Sequence, residues 1–371
     1  MADSFYKTLD GAIDIVDTRT LLHEAIPLTG TIVSGTYGTN NIKNFAHGMF
    51  QSVYDYPYLS SSANHIFDIT IGVGASSGLA ASITTTNGQK SKKRNIYNQM
   101  AQLLMGYDHT GSVLQFDEDG NIAGGGTKMN DVVFLNFSRL LVKDEIKKGS
   151  FSLDLGVTPA YAPGSHMAKR ITISDQSGSS GYLVNSPAGE YGILYATNSS
   201  GVTANILKAN QSYAVGHIYY QAGIAVISSS VFLKQSDGGI LNNSHYSLSM
   251  SGPSTTSENF KAVLTGSQIS GAADNIRSRI YNIQFNNTVE LNSTIYFCRM
   301  NHNEFNYSTN PTYLNNSKLR VKTKSTDSPV AYITTIGLYN DNNELMAVAK
   351  LSEPLKKDPS QEYTIRARLD Y

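Results

Sequence analysis

The sequence predicts a mainly β protein, built of β-sandwich-type modules with a few short helices. Three observations support this fold class. Apolar and polar residues alternate along much of the chain, which is the pattern of strands with one buried face. Turn signals such as Asp119-Gly120 and Ser251-Gly252-Pro253 separate the alternating segments. Segments with helical periodicity are few.

Seven segments carry the strongest strand patterns. The alternating ones are 65–72, 150–155, 170–174, 293–300 and 363–371. Two more, 131–137 and 223–227, are almost continuously apolar and indicate central strands buried on both faces.

One helix is predicted from about residue 91 to 107. Apolar residues recur at i, i+4, i+7 and i+8 from Ile96 and share one face, and Gly106 suits the C-terminal cap. Shorter helices are predicted over 139–148 and 257–264.

Breaks in the strand pattern predict three regions. Two prolines and a glycine interrupt it over 158–165, and small polar residues fill 265–274. The expected regions are a mostly β region with one helix (1–157), a Ser/Gly/Asn-rich β region (158–274) and a C-terminal β module (275–371).

The charge balance argues against nucleic-acid binding and favours assembly with other proteins. The 29 Lys+Arg balance the 29 Asp+Glu. The resulting zero net charge argues against a nucleic-acid binder, which needs a basic face. Charged residues are 16% of the 371, against roughly 25% in ordinary soluble domains. Weak self-repulsion favours packing into an assembly.

The cysteine content and the apolar runs predict a protein of a cytosol-like compartment without membrane insertion. The single cysteine, Cys298, excludes an internal disulfide and a cysteine-rich zinc site. No apolar run reaches the ~18–20 residues of a membrane helix. The first residues lack the basic-then-apolar layout of a signal peptide.

Three short motifs resemble ligand loops but miss a required feature. Residues 117–121 resemble the start of a calcium loop, yet Lys128 stands where that loop needs a glutamate. A hairpin turn at Asp119-Gly120 fits better. The glycines of 72–78 have the wrong spacing for a dinucleotide fingerprint, and no Lys-Ser/Thr follows 124–126. Both are predicted to be flexible loops.

The eight histidines are scattered, with no pair spaced to bind a metal from one strand or helix face. We therefore expect no metal, no cofactor, no catalytic residue and no enzymatic activity.

Residues 90–94, Lys-Ser-Lys-Lys-Arg, form the strongest charge run. Positive charge at a helix N-terminus opposes the helix dipole. Two interpretations stay open: a solvated helix start, or a contact of Lys92, Lys93 and Arg94 with an acidic partner.

Segment 50–59 carries Tyr54, Tyr56 and Tyr58 around one proline. Tyrosine combines apolar area with a polar tip and is enriched in interface cores. A contact with another protein is the favoured interpretation, and packing within the chain is the alternative.

The C-terminal segment carries a resemblance. Residues 332–351 read as a strand with Ile-Gly-Leu-Tyr, a turn of Asn-Asp-Asn-Asn, and a strand with Glu-Leu-Met-Ala-Val-Ala. A proline-bounded loop over 352–359 and a closing strand follow. This unit resembles a module of tailed-phage baseplate and tail-fibre attachment proteins. Gly337 would relieve crowding in the hairpin, and Gly337 and Tyr339 are interaction candidates.

The whole chain is similar to a family of virion structural proteins from T4-like myophages of marine cyanobacteria. The segments that carry the similarity are 51–70, 95–102, 116–121 and 143–152. The resemblance implies a tail or baseplate component and supplies no catalytic residue.

The expected function is that of a non-enzymatic structural subunit of a tailed-phage virion, most simply a baseplate wedge or tail component. It would be assembled in the host cytoplasm and bind other baseplate or tail subunits, tail fibres and further copies of itself. Two alternatives stay open. One is a capsid, collar or fibre-like module that binds host glycans or a receptor. The other is a polysaccharide hydrolase, which needs two carboxylates across a cleft.

Overall fold

The computed structural model describes residues 7–24, 39–78, 88–120, 127–141, 144–158, 167–198, 213–242 and 268–371. Strands make up 43% of the structure and helical residues 15%. The predicted mainly β fold with a few short helices is confirmed.

The strands, numbered in chain order, are β1 Ile15–Glu24, β2 Ile42–Asn44, β3 Gln51–Tyr54, β4 His65–Val73, β5 Asp131–Asn136, β6 Glu145–Ile146, β7 Ser152–Gly156, β8 Arg170–Ser174, β9 Tyr191–Asn198, β10 Tyr213–Tyr219, β11 Ile224–Ser228, β12 Ile280–Gln284, β13 Asn287–Met300, β14 Leu314–Asn315, β15 Lys318–Leu319, β16 Ala331–Tyr339, β17 Leu345–Lys357 and β18 Tyr363–Asp370. The α-helices of the described residues are α1 Gly88–Leu104, α2 Gly178–Gly181 and α3 Ile269–Arg277. All seven predicted strands are present, and α1 confirms the predicted long helix.

Two compact units divide the chain differently from the three predicted regions. Unit 1 comprises Met1–Leu22 and Glu290–Tyr371, and unit 2 comprises His23–Val289. The predicted boundary after residue 157 falls between β7 and β8, which are hydrogen-bonded neighbours. Strand pairing across that point keeps both sides in one unit.

Unit 2 is built on a ten-stranded sheet in the order β12-β7-β8-β9-β10-β11-β5-β4-β3-β2. Every pairing in it is antiparallel. The apolar strands β5 and β11 pair with each other near its middle. All residues of β11 are buried, which confirms the prediction of central strands.

Helix α1 packs on this sheet, and glycine permits its close approach. A Cβ on Gly72 of β4 would lie 2.8 Å from Cε2 of Phe134 and 3.0 Å from Cβ of Tyr97, which belongs to α1. The prediction of a flexible loop over 72–78 is therefore wrong at its start. Gly72 lies in a strand, and the Ser77 hydroxyl donates to Asp131 Oδ1 (2.7 Å).

The predicted helix over 139–148 is wrong. The chain forms a 3₁₀ turn at Ser138–Leu140 and then strand β6. The amide of Ile146 donates to the carbonyl of Tyr220 (3.1 Å), and Glu145 pairs with Thr288. Hydrogen bonds to distant strands thus outweigh the local helical pattern.

Helix α3 lies where the sequence predicted the edge of a domain. Its buried residues Ile269, Ala272, Ala273 and Ile276 share one face. Because most side chains of residues 265–274 are small or polar, the sequence pattern there resembled that of a linker. The predicted helix over 257–264 lies outside the described residues.

In unit 1, β13 lies between β1 and β18, and it pairs with β18 in antiparallel register from Ser293–Asp370 to Met300–Tyr363. Strands β16 and β17 form a separate hairpin, which confirms the predicted strand, turn and strand. The predicted loop over 352–359 is wrong over 352–357, because β17 continues through Pro354 to Lys357. A register shift between Ile333 and Thr335 accommodates this longer strand.

Candidate interaction surfaces

The tyrosine segment forms an exposed loop between β3 and β4, here called the aromatic loop (residues 54–64). Tyr56 is 58% exposed, Tyr58 37% and Leu59 86%. Tyr54 is half-buried, and its ring meets His65 edge-on at 5.4 Å between centroids. The structure therefore places two of the three predicted tyrosines on the surface.

Hydrogen bonds hold both ends of the aromatic loop. Asp55 Oδ1 accepts from the amides of Tyr56 (2.8 Å) and Asn64 (2.6 Å), and Oδ2 accepts from Asn64 Nδ2 (2.8 Å). The Tyr58 amide donates to the carbonyl of Asn40 (2.9 Å). Burial raises the pKa of Asp55, but the Asn64 hydrogen bonds outweigh it and hold that pKa below its usual value. The loop is thus ordered around an ionised carboxylate.

An apolar groove of ≈ 420 Å³ lies between α1 and the sheet of unit 2. Its apolar lining consists of Met49, Phe50, Ile96, Met100, Leu103 and Phe134. Asp68 adds a carboxylate to the lining; it accepts hydrogen bonds from Ser52 Oγ (2.5 Å) and contacts His65 Nε2 (2.7 Å). Burial raises the pKa of Asp68, but the His65 and Ser52 hydrogen bonds bring it below its usual value.

An aromatic cluster lies in the segment that leads to the groove and consists of Phe45, His47 and Phe50. The rings of Phe45 and His47 are stacked with centroids 5.1 Å apart, and Phe50 lies 4.7 Å from Phe45. Lys43 Nζ lies 4.9 Å from the centroid of Phe45, a cation–π contact. This cluster was not predicted, although three aromatic rings within six residues could have indicated it.

The basic run does not form one charged surface. Lys93 is fully buried. Lys92 donates from Nζ to the carbonyl of His47 and ties α1 to the aromatic cluster. Arg94 is half-buried. Lys93 therefore cannot contact an acidic partner, and the roles of Lys92 and Arg94 stay predictions.

In unit 1, the other predicted residues belong to the hairpin. Gly337 pairs with Val348, and the ring of Tyr339 lies over it. A Cβ at Gly337 would lie 2.9 Å from Cε2 of Tyr339 and 3.1 Å from Cδ1 of Leu345. This position therefore leaves no free space for a side chain while Tyr339 keeps its place.

Large apolar side chains are exposed along the hairpin. Both strands carry them: Tyr332 is 53% exposed, Tyr339 44%, Leu345 52%, Met346 68% and Val348 52%. The sequence predicted these strands but not their exposure. The continuous apolar run 345–349 was the available signal, since a strand with one solvated face would alternate.

The calcium-like segment is a turn, as predicted. Gly120 has φ 76°, and its amide donates to the carbonyl of Asp117 (3.3 Å). The Asp117 carboxylate is buried and binds Lys128 Nζ (2.5 Å). Burial raises the pKa of the neighbouring Glu118 to about 7. An isolated antiparallel bridge pairs Asp117 with Lys128.

One further motif was not predicted from the sequence. Gly74-Ala-Ser-Ser-Gly78 has the spacing of a nucleophile elbow, in which a strained turn presents the serine. Ser76 Oγ accepts from Gln115 Nε2 (2.9 Å), and Ser76 is not among the described non-glycine residues with positive φ. The geometry is that of a surface turn.

Within the described ranges, no group of three or more His, Cys, Asp or Glu side chains is placed to hold a metal ion. No helix in this part of the chain has the length and apolar character to cross a membrane. Comparisons with protein-family models, with curated proteins and with solved structures gave no match.

Proposed function

We propose that the chain is a non-enzymatic structural subunit of a tailed-phage virion, located in the baseplate or tail, that works by binding neighbouring subunits. The observation that carries the proposal is the exposed apolar hairpin of unit 1. The resemblance of the sequence to virion structural proteins is the reason for proposing a phage virion as the assembly.

The hairpin is expected to be more stable in contact with a partner than in solvent. A two-stranded hairpin is marginally stable on its own in water. In β17, Leu345, Met346 and Val348 are each more than half exposed. Exposed apolar side chains gathered on one element are typical of protein interaction sites, and burying them in an assembly would stabilise both the contact and the hairpin.

The aromatic loop supports the same role from unit 2. Tyr56 and Tyr58 present large side chains that lose little conformational freedom on binding. The Asp55–Asn64 hydrogen bonds already order the loop. Preorganisation lowers the entropic cost of association.

The test uses purified particles of the phage that encodes the chain. We expect mass spectrometry to detect the chain in particles, and cryo-electron microscopy to place it in the tail or baseplate. A triple variant, Leu345→Ser, Met346→Ser and Val348→Ser, should fold with an unchanged circular dichroism spectrum but enter particles poorly. The matched control, Thr334→Ser with Thr335→Ser, changes exposed polar residues of the same hairpin and should enter normally. Particles that lack the chain altogether would refute the proposal.

The composition of the aromatic loop favours one second candidate, a module of the capsid, collar or fibre that binds host glycans or a receptor. Exposed tyrosines beside serines 60–62 are typical of polar recognition surfaces. Saturable binding of the isolated protein to host cells, lost in Tyr56→Ser with Tyr58→Ser, would support this alternative.

A further inference from the structure

The two strands of the hairpin have different free edges. Strand β16 contains no charged residue and no proline. Strand β17 carries Pro354 and two exposed lysines, Lys350 and Lys356. Proline and lysine protect sheet edges against pairing with another chain. The β17 edge is therefore protected, and the β16 edge is not.

Among the strands that the structure describes, none pairs with the second edge of β16. Among the described residues, β17 is the one strand that pairs with β16. At the start of β16, the amide of Tyr332 donates to the hydroxyl of Tyr313 (3.2 Å). The stretch that we consider for pairing is 334–338, five residues centred on Ile336.

The two ends of the hairpin carry opposite charges. The turn end has exposed carboxylates at Asp341 and Glu344. The base lies beside an exposed basic segment with Lys318, Arg320 and Lys322. Hydrogen bonds fix that segment at the base: the Arg320 amide donates to the Tyr313 carbonyl (2.7 Å), and the Val330 amide donates to the Val321 carbonyl (3.3 Å).

We propose that β16 pairs in antiparallel orientation with β16 of a second copy of this chain. The proposal rests on the proposed function and names one partner within it. A two-fold axis at Ile336 would place this residue opposite its own copy and join the hairpins into a four-stranded sheet. The acidic turn of each copy would then lie beside the basic segment of the other.

A second copy fits this edge because the pairing is self-complementary. A two-fold contact uses the same patch on both copies, so each must carry both halves of every charge pair. This chain carries both halves, with acidic groups at the turn of the hairpin and basic groups beside its base. The uncharged middle, from Thr334 to Leu338, avoids like charges directly opposite each other, which destabilise strand pairs.

The first experiment locates the contact by cross-linking the full chain. In a Cys298→Ser background, Ile336→Cys should give a disulfide-linked dimer on mild oxidation. Ser352→Cys, exposed on β17, is the matched control and should stay monomeric. Circular dichroism confirms the fold of both. Equal cross-linking at the two positions, or none at Ile336, would overturn the proposal.

The second experiment tests the charge pairing by analytical ultracentrifugation. Wild-type chain should dimerise, and Asp341→Lys with Glu344→Lys should raise the dissociation constant about tenfold or more, which corresponds to about 1.4 kcal/mol. Adding Lys318→Glu and Lys322→Glu to the same chain should restore the dimer. A wild-type chain that stays monomeric at every concentration, or a charge reversal without effect, contradicts self-pairing.

The two proposals fail differently. If the chain is found in particles but remains monomeric, or pairs through β16 with a different protein, self-pairing is wrong while the structural role stands. If it dimerises through β16 but is absent from particles, the virion role is wrong and the dimer stands.

Discussion

Asp55 accepts hydrogen bonds from both nitrogens of Asn64, at 2.6 Å from the backbone amide and 2.8 Å from the side chain. These bonds join the two ends of the aromatic loop. Residues 56–62 are exposed, so hydrogen bonds rather than burial of apolar side chains hold the loop. The Asp55 carboxylate therefore contributes to the position of Tyr56, and it closes the loop that also carries Tyr58.

We predict that Asp55→Ala loosens the aromatic loop without unfolding the protein. Amide hydrogen exchange at Tyr56 and Asn64 should become severalfold faster, since both amides lose their acceptor. Asp108→Ala is the matched control, because Asp108 caps a different exposed turn through Thr110 and Ser112. Unchanged exchange at Asn64 in the Asp55 variant would show that other contacts order the loop.

Lys148 lies between two carboxylates, with Nζ 3.0 Å from Glu145 Oε1 and 2.7 Å from Glu190 Oε2. All three side chains are largely buried. Lys148→Met would leave both carboxylates without this cation, so we expect it to lower the free energy of unfolding by about 3–5 kcal/mol. Chemical denaturation at neutral pH measures this loss.

A more exposed ion pair supplies the contrast. Lys7 Nζ lies 2.6 Å from Glu304 Oε2, with both side chains about one third exposed (30% and 32%). Lys7→Met should cost about 0–1 kcal/mol, because solvent screens the pair. A similar cost for both variants would mean that burial does not govern the Lys148 pairs.

We predict that acid destabilises the fold because the His217 side chain is buried. It is fully buried, and burial lowers its pKa to about 4 from an ordinary value of 6.5. The unfolded chain binds this proton more tightly than the folded one, so the stabilisation is fully present above pH 6.5 and is lost as the pH falls toward 4. Its full span is about 3 kcal/mol, at about 1.36 kcal/mol for each pKa unit.

The measurement compares unfolding free energies between pH 4 and 7. His217→Phe should remove this loss, so that the difference between wild type and variant changes across the window. A constant difference between wild type and His217→Phe would show that His217 does not titrate in this window.

Gly337 permits the position of the Tyr339 ring in the hairpin. Gly337→Val should displace that ring, because a Cβ would approach its Cε2 to 2.9 Å. Since Tyr339 is 44% exposed, it can move into solvent, and the cost should stay below about 1 kcal/mol. NMR should show shifted Tyr339 ring resonances. Gly11→Ala meets nothing within 4 Å and should leave them unchanged.

The sequence determined the fold class and most strands of this protein. Period-two alternation marks β4, β7, β8, β13 and β18 because a half-buried strand must place apolar side chains on one face. Continuous apolar runs marked the central strands because both faces of such strands are buried. The hairpin and α1 were equally visible, since their patterns are local.

Only the tertiary structure decided what lies at the surface. Residues 139–148 have a helical pattern, yet Ile146 bonds to Tyr220 far along the chain. Lys93 belongs to a basic run, yet it is buried. Leu345 and Met346 have the composition of a core strand, yet they face solvent. Burial depends on which segments meet in space, and local sequence periodicity does not specify that meeting.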